Sequence, residues 1–345
     1  MKLLNAVVFG LALVSGAAFA GDKIDVTGAG ATFPAPLYTK WFSLYNKANP
    51  SIQINYQALG SGGGIKQITE KTVNFGASDA PMSNEELSNA PGLLHIPTVM
   101  GAVVITWNEP AIATLKLSPE TLAAIFLGKI TKWNDPAIAA DNPHHAKLPD
   151  TAITVARRSD GSGTTYVFTD YLAKVSPEFK EKVGAGKSVN WPAGLGAKGN
   201  DGVTGLVKST KGAIGYVELA YANQNKLPLA ELKNKDGHYV KPTLESTSEA
   251  AAGVEMPADY RVSITNAAGK GSWPIASFTY VLVRKEQEDS TIGPVLVNFL
   301  WWALHDGQAT AAPLDYAPLP KAVVVKVEAT LRSITVQGKP ALVGG

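Results

Sequence analysis

Cysteine is absent from the 345-residue chain. Its absence excludes disulfide bonds, thiolate metal sites and a lipid-modified cysteine, so the fold must depend on burial of a core. An excess of charge of one sign is also lacking, because 31 Lys and Arg stand against 29 Asp and Glu for a net charge of +2. With no basic block or basic amphipathic helix, this balance excludes nucleic acid as a partner. A site for an anion would therefore have to be built locally.

Long apolar runs are lacking too, with one exception at the start. Residues 3–19 form an apolar stretch after Lys2, and residues 18–20 have the sequence Ala-Phe-Ala. This pattern predicts a signal peptide over residues 1–20 that is cleaved after Ala20. A membrane anchor is the alternative, but the run is shorter than the ~20 residues of a span and has no basic flank on its far side. We therefore expect an exported protein located in the bacterial periplasm.

Short apolar segments of strand character alternate with helical patterns along the mature chain. This alternation favours α/β domains with mixed or parallel sheets, and the length favours two domains. Strands are predicted at residues 52–56, 99–107 and 275–284, and helices at residues 36–47, 64–70, 119–127, 165–174 and 293–306. We expect the strands at 99–107 and 275–284 to be buried and to form paired connections between the two domains. Residues 236–272 are expected to form a surface excursion with little regular structure.

The most informative segment is residues 157–165, RRSDGSGTT, which concentrates hydrogen-bond donors. It follows the β-favouring residues 153–156, so Arg157 and Arg158 should point to opposite faces and one of them inward. Its glycines allow successive N–H groups to turn toward one point, while the hydroxyls add further donors. A helix is predicted to follow, and a helix N-terminus favours negative charge. We interpret the segment as an anion site; a turn that only caps the helix is the alternative.

Two further segments share this chemistry. Residues 27–36, TGAGATFPAP, and residues 60–68, GSGGGIKQI, each place a glycine turn between a strand and a helix N-terminus. A single glycine-rich turn is a weak signal, but three in one chain favour a common site. Loops that follow the strands of an α/β sheet converge at one edge, and binding sites are built there.

Asp79 lies in another short loop, FGASDAP at residues 75–81. A carboxylate next to a fully deprotonated anion would be repelled and unpaired, at a cost that can exceed several kcal/mol. An ionised carboxylate is an acceptor only, so it needs a donor on the ligand. Asp79 would therefore discriminate protonated phosphate from sulfate. The alternative is that Asp79 caps a helix beginning near Met82.

Motifs of phosphate-handling enzymes are absent from the sequence. No G-x-S-x-G elbow, no G-x-x-x-x-G-K-[ST] loop and no H-E-x-x-H helix occurs. A phosphatase needs a nucleophile beside a base or a metal cluster, and no histidine lies in a donor segment. His144 and His145 are interpreted as part of a solvated loop, not as metal ligands. A Ser162 nucleophile assisted by Asp160 stays open as the enzymatic alternative, and a binder of sulfate, molybdate or arsenate as the nearer one.

Several segments of the mature chain, taken in order, carry a resemblance to a known family. They are TGAGATFPAP, GSGGG followed by IKQI, NFGASDAP, RRSDGSGTT, NWPAGLGAKGNDGV, GAIGYVELAYA and LDYAPLP. Together they resemble the periplasmic phosphate-binding proteins of high-affinity bacterial ABC phosphate transporters. The resemblance covers essentially the whole mature chain, and several of these motifs are long and unusual. The chain is therefore expected to bind its ligand and not to be an enzyme.

The resemblance implies a type II periplasmic binding protein, in which two α/β domains are joined by crossing hinge strands and the ligand lies in the cleft. By similarity, the first domain comprises residues 21–100 and 277–345, and the second comprises residues 101–276. The phosphate contacts, carried over motif by motif, fall on Thr32, Phe33, Ser61, Asp79, Arg158, Ser162, Gly163 and Thr164. Phe33 would contribute through its N–H, and Asp79 would accept the phosphate proton. Asp160 would support the site by pairing with Arg158.

The same resemblance implies partners. Inorganic phosphate in its protonated forms is the expected ligand, and an inner-membrane ABC permease with its ATPase is the expected recipient. No cofactor or metal is expected, and the protein is expected to be a monomer. The chain departs from the family pattern at Gly62, where a second serine is common, and at the adjacent Trp301 and Trp302, where relatives more often have one aromatic residue.

Overall fold

The structure is a computed structural model that describes residues 23–145 and 147–343. The predicted signal peptide over residues 1–20 lies outside the described residues. Within the described ranges, no helix has both the length and the apolar character needed to cross a membrane.

The strands fall into one large sheet and two small ones. Their bounds are β1 Ile24–Gly30, β2 Ile52–Ala58, β3 Phe75–Ser78, β4 Leu93–Asn108, β5 Lys116–Leu117, β6 Thr154–Arg158, β7 Leu195–Ala197, β8 Ala213–Glu218, β9 Glu231–Lys233, β10 Tyr239–Val240, β11 Ala276–Arg284, β12 Glu286–Gln287, β13 Thr335–Val336 and β14 Lys339–Pro340.

Helices connect these strands and cover the faces of the large sheet. Their bounds are α1 Ala35–Ala48, α2 Ser61–Thr69, α3 Asn84–Ser88, α4 Pro119–Phe126, α5 Pro136–Asp141, α6 Gly163–Val175, α7 Pro177–Lys182, α8 Gly199–Ser209, α9 Leu219–Gln224, α10 Leu244–Ala251, α11 Ile292–Leu304 and α12 Lys321–Arg332. Two short 3-10 helices follow α11, at Asp306–Thr310 and Ala312–Leu314.

The large sheet has eight strands in the order β2-β1-β3-β11-β4-β8-β6-β7. β1 runs parallel to β2 and β3, and β6 runs parallel to β7 and β8. Between these two groups, β11 and β4 are antiparallel to each other. β4 pairs with β11 up to Ala102 and with β8 from Val103 onward. We call the group of β1 to β3, with the loops that follow them and the helices that pack on them, the first lobe, and the group of β6 to β8, with theirs, the second lobe.

The pairing of β4 with β11 confirms the expectation that the two long apolar runs lie side by side. Both strands are buried along nearly their whole length, as a continuous apolar run predicts for a strand covered on both faces. β4 begins at Leu93, before the predicted start at residue 99, because the ladder with β11 continues through His95 and Pro97.

The predicted helices are all present, but two of them begin two or three residues earlier than expected. α2 begins at Ser61 instead of residue 64, and α6 begins at Gly163 instead of residue 165. Gly60 accounts for the first start, since its φ of 96° makes the turn and leaves Ser61 as the first helical residue. Ser162 accounts for the second, because its hydroxyl caps α6 by accepting from the Thr165 N–H at 3.0 Å. The donor segments therefore form the first helical turns themselves, where backbone N–H groups lack helical partners.

Each lobe has its own aromatic cluster. In the first lobe, Phe42 packs against Phe75 and Phe299, with ring centroids 6.2 Å and 5.4 Å apart. In the second lobe, Phe168 packs against Phe126 and Tyr216, at 4.6 Å and 4.4 Å. Such pairs contribute about 0.5 to 1.5 kcal/mol each beyond the burial of their area. The clusters give both lobes a rigid base for the loops at their facing edges.

Two other expectations concern peripheral segments. Residues 236–272 do have little regular structure, but the expectation of a surface excursion is only partly correct, because α10 lies there and Met256 and Tyr260 are buried. Of the two adjacent tryptophans, Trp302 packs on Phe299 in the first-lobe cluster. Trp301 is half-buried, and its ring lies under the Arg332 guanidinium at 4.6 Å.

Candidate anion-binding site

Three loops of the first lobe converge at the carboxyl edge of its parallel strands. β1 leads to Thr32, β2 leads to Ser61 at the start of α2, and β3 leads to Asp79. All three side chains are buried, although each is polar. Parallel strands end at the same edge, so residues far apart in the sequence meet there, as the sequence predicted.

Phe33 offers its backbone and not its ring to this edge. The ring is fully buried and packs so closely on Gly101 that an added Cβ would lie 2.6 Å from it. The carbonyl oxygen accepts a 2.6 Å hydrogen bond from the Tyr316 hydroxyl. Its N–H has no acceptor among the residues that the structure describes, and the same is true of the N–H groups of Thr32, Ser61 and Thr164. Backbone donors from both lobes are thus left without protein partners.

The second lobe contributes a guanidinium that is held by a carboxylate. Arg158, at the end of β6, is 3% exposed, and its Nε and Nη2 donate to the two oxygens of Asp160 at 2.7 Å and 2.5 Å. Its Nη1 donates to Thr164 Oγ1 at 3.3 Å. Arg157 lies on the other face of the strand and is half-buried, which confirms that one arginine points inward. The predicted pairing of Arg158 with Asp160 is present.

The two lobes touch through Gly163 and Ser61. The Gly163 N–H donates to Ser61 Oγ at 3.0 Å. A Cβ on Gly163 would lie 2.3 Å from Ser61 Oγ and 2.5 Å from Asp79 Oδ2, so this approach requires a glycine. Nearby, the Gly62 N–H donates to the Gly161 carbonyl at 2.9 Å. Gly62, one of the departures from the family pattern, thus lies directly at the contact between the lobes.

Asp79 accepts hydrogen bonds from two hydroxyls. Its Oδ1 accepts from Thr279 Oγ1 at 2.8 Å, and its Oδ2 accepts a longer bond from Ser61 Oγ at 3.4 Å. Its own N–H donates to Ser61 Oγ at 3.2 Å. The alternative that Asp79 caps a helix is wrong, because Ser83 caps α3 through the Glu86 N–H at 3.1 Å. The carboxylate is therefore directed to the region between the lobes.

At each of the two carboxyl groups of the site, burial raises the pKa and the charge of Arg158 lowers it. Burial raises the pKa of Asp79 to about 7, against the hydrogen bond from Thr279 and the charge of Arg158. Burial also raises the pKa of Asp160, but its hydrogen bonds with Arg158 and the charge of that guanidinium hold the pKa below its usual value. Asp160 is thus a fixed negative partner of Arg158, whereas Asp79 titrates near neutral pH and can accept a proton.

All eight residues that the sequence assigned as phosphate contacts are buried, and the supporting Asp160 is half-buried. Sequence reasoning missed two others that complete the site. Thr279 is a hydroxyl in the largely apolar β11, and Asn200 follows a glycine turn at the start of α8. The signal for Asn200 was available, since Gly199, with a φ of 74°, repeats the pattern of a glycine turn before a helix. A buried polar residue within an apolar strand was the signal for Thr279.

The two adjacent histidines form their side-chain hydrogen bonds outside this site. The rings of His144 and His145 hydrogen-bond to the hydroxyl and the carbonyl of Thr114, at 3.1 Å and 2.7 Å. His144 is exposed in a loop, as the sequence predicted. In the described part of the chain, no group of three or more His, Cys, Asp or Glu is placed to hold a metal ion.

Comparison with known proteins identifies the family. The PBP superfamily domain matches residues 17–306. The chain is 50% identical over 308 residues to the phosphate-binding protein PstS of Pasteurella multocida, covering 88% of this chain and 89% of that protein. It is 47% identical over 308 residues to the PstS of Haemophilus influenzae, covering 88% and 91%.

Solved structures show the same architecture. A phosphate-binding protein from Stenotrophomonas maltophilia superposes with a TM-score of 0.69 at 22% identity, covering 92% of this chain and 98% of that one. An ABC-type phosphate transport receptor from Vibrio cholerae gives a TM-score of 0.56 at 17% identity, covering 86% and 100%. These likenesses confirm the type II periplasmic binding protein fold. The chain belongs to the PBP superfamily and, within it, to the family of PstS phosphate-binding proteins.

Proposed function

We propose that this protein captures inorganic phosphate between its two lobes and delivers it to an inner-membrane ABC permease for import. The observation that carries the proposal is the meeting of donors from both lobes around one buried acceptor, Asp79. Arg158 supplies the charge, and hydroxyls and backbone N–H groups supply further donors. A site made only of hydrogen-bond donors would bind any oxyanion, whereas the acceptor Asp79 selects an oxyanion that carries a proton.

The proposed phosphate ligands are those that the sequence indicated. They are Thr32, Phe33, Ser61 and Asp79 from the first lobe, and Arg158, Ser162, Gly163 and Thr164 from the second. Support comes from their burial at one junction and from the first-turn N–H groups of α2 and α6, which favour an anion. Asp160 would orient the guanidinium through its paired hydrogen bonds.

We further propose that the lobes are two domains, residues 21–100 with 277–345 and residues 101–276. Near the proposed boundary, β4 changes partner from β11 to β8 between Ala102 and Val103. A small rotation there would separate the two donor sets. Since both sets reach the ligand only when the lobes close, phosphate would favour closure through its higher affinity for the closed state.

The proposed location is the periplasm, and the proposed recipient is the permease with its ATPase. The predicted signal peptide supports export, and membership of a family named for phosphate binding supports a transport role. A monomer is the proposed form, since one chain supplies all the site residues. The family is one of binding proteins, so the expectation that the chain is not an enzyme is confirmed.

The geometry gives no support to the enzymatic alternative. Asp160 is occupied by Arg158 and by the Gly199 N–H at 3.0 Å. The Ser162 hydroxyl accepts the Thr165 N–H as a helix cap. Among the described residues, no hydrogen bond joins Asp160 to Ser162, so this pair does not form an activated nucleophile.

The two adjacent arginines provide a matched test. Arg158→Met should weaken phosphate binding by about 2 to 5 kcal/mol, since it removes a buried charge partner. Arg157→Met, on the opposite face of the same strand, should change the affinity little. The double variant R158M/D160N leaves no unpaired carboxylate, so a loss of binding there reports on the guanidinium itself. Equal effects of the two arginine substitutions in calorimetry would remove Arg158 from the site.

A further inference from the structure

A fully buried asparagine, Asn200, bridges the two lobes. It is near the start of α8 in the second lobe, and its Nδ2 donates to Thr32 Oγ1 of the first lobe at 2.8 Å. The same Nδ2 donates to Thr164 Oγ1 at 3.0 Å. The amide thus holds one hydroxyl from each lobe with its two hydrogens.

The orientation of this amide is fixed by its other end. Asn200 Oδ1 accepts the Glu218 N–H at 2.9 Å. A backbone N–H can only donate, so the oxygen must face Glu218 and the nitrogen must face the two threonines. Since both threonines receive a hydrogen from Asn200, each must act as an acceptor toward it.

The hydroxyl of Thr32 is thereby saturated as an acceptor. A hydroxyl has two lone pairs and one hydrogen. Thr32 Oγ1 accepts from Asn200 Nδ2 and also from the Asn200 N–H at 3.2 Å. Its hydrogen has no acceptor among the described residues. This hydroxyl can therefore form one further hydrogen bond, and only as the donor.

Thr164 is in the same situation in the second lobe. Its Oγ1 accepts from Asn200 Nδ2 at 3.0 Å and from Arg158 Nη1 at 3.3 Å. Its hydrogen likewise finds no acceptor in the part of the chain that the structure describes. Both hydroxyls of the pair can consequently offer only a hydrogen to a third partner.

We propose that Asn200 is a positioning residue that sets the Thr32 and Thr164 hydroxyls as obligatory donors, so that the closed site selects for acceptor oxygens at both points. This inference rests on the proposed function and deepens it. Because Thr32 belongs to the first lobe and Asn200 to the second, the orientation of the Thr32 hydroxyl is set only when the lobes are closed. The donor set is therefore completed by closure, at the moment when water leaves the anion.

Two substitutions at position 200 separate this role from a merely structural one. Asn200→Asp keeps the shape and the acceptor for Glu218, but it replaces the amide donor with an oxygen that would turn both hydroxyl hydrogens away from the ligand. Asn200→Ala loses more packing but leaves the hydroxyls free to rotate. We expect phosphate affinity to fall about 10-fold in N200A and about 100-fold or more in N200D. A purely structural role predicts the reverse order, because aspartate is the better isostere.

The negative charge of N200D is controlled in a second background. In a protein carrying Thr32→Val and Thr164→Val, no hydroxyl is left to reorient, so the gap in phosphate affinity between N200D and N200A should shrink. An unchanged gap would mean that the carboxylate acts by repulsion alone and would overturn the proposal. Calorimetry gives the affinities, and thermal unfolding shows that each variant is folded. If the wild-type protein itself does not bind phosphate, the proposed function fails; if it binds but the order of the variants is reversed, this inference alone fails.

Discussion

Replacing Asp79 with asparagine should stabilise the ligand-free protein and weaken its discrimination between anions. The carboxyl group is 1% exposed, and burial raises its pKa from 3.8 to about 7. Asparagine has the same shape, its oxygen can accept the hydrogen bond from Ser61 Oγ, and its NH₂ can donate to Thr279 Oγ1. The substitution therefore removes a buried titrating group without removing its contacts.

The size of the stability effect follows from the two pKa values. A carboxyl group with a raised pKa in the folded state binds a proton there more tightly than in the unfolded state. Folding stability is therefore lost as pH rises from about 4 to about 7, and the loss is complete above that window. The pKa difference between 3.8 and about 7 corresponds to about 4 kcal/mol at 1.36 kcal/mol per unit, an upper value for a buried group.

Urea denaturation of the ligand-free protein at a series of pH values measures this effect. The advantage of D79N over the wild type in free energy of unfolding should grow by up to about 4 kcal/mol between pH 4 and pH 8. Asp150→Asn serves as the control, since Asp150 is exposed and should not reproduce the trend. Parallel pH profiles for D79N and the wild type would contradict this prediction, because they would show that Asp79 is ionised in the folded state at no cost.

The effect of D79N on anion selectivity is tested with sulfate. An amide can donate to a fully deprotonated oxyanion, whereas the carboxylate needs a proton on the ligand. Sulfate binding should therefore become measurable by calorimetry in D79N. Continued rejection of sulfate would mean that the discrimination lies elsewhere in the site.

Three further predictions concern other parts of the structure. Burial and the charge of Arg261 lower the pKa of His95 from 6.5 to about 4, and its neutral ring accepts the Met82 N–H at 3.0 Å. The free energy of unfolding should therefore fall by up to about 3 kcal/mol as the pH drops from about 6.5 to about 4. In urea denaturation, His95→Gln should reduce this pH dependence, and an unchanged pH dependence would contradict the prediction. Lys187 Nζ donates to both carboxylate oxygens of Glu86 in the other lobe, at 2.7 Å and 2.8 Å. Lys187→Met should therefore speed phosphate release about 2- to 5-fold, as measured by stopped flow at low salt. An unaltered release rate would show that the pair does not hold the lobes together. Gly163→Ala should abolish tight phosphate binding, because the added Cβ would prevent the contact with Ser61. The control is Gly205→Ala in α8, where an added Cβ has no neighbour within 4 Å; it should leave the affinity unchanged and stabilise the fold by about 0.5 to 1 kcal/mol. Full phosphate affinity in G163A would show that closure does not need this contact.

Local chemistry made much of the site predictable. Strand ends followed by glycine turns are visible in the sequence, and the rule that such loops meet at one edge of a sheet placed Thr32, Ser61 and Asp79 together. The alternation expected of a strand also predicted that one of Arg157 and Arg158 would face inward. These are properties of single segments and of their neighbours along the chain.

Contacts between the lobes could not be predicted in the same way. The bond between Gly163 and Ser61, and the bridge from Asn200 to Thr32, join residues that are far apart in the sequence. They depend on how two separately packed lobes approach, and no local pattern encodes that approach. The early starts of α2 and α6 were missed for a related reason, because helix propensity counts glycine against a helix, whereas here glycine permits close contact in the first turn.

Phosphate binding and the role of Asp79 are tested together by isothermal titration calorimetry of the mature protein, freed of carried-over anion. The protein is titrated at neutral pH with phosphate and then with sulfate. We expect tight one-to-one binding of phosphate and no detectable heat of binding with sulfate, because only phosphate has a proton to donate to Asp79. Tight binding of sulfate, or binding of neither anion, would contradict both the proposed function and the role of Asp79.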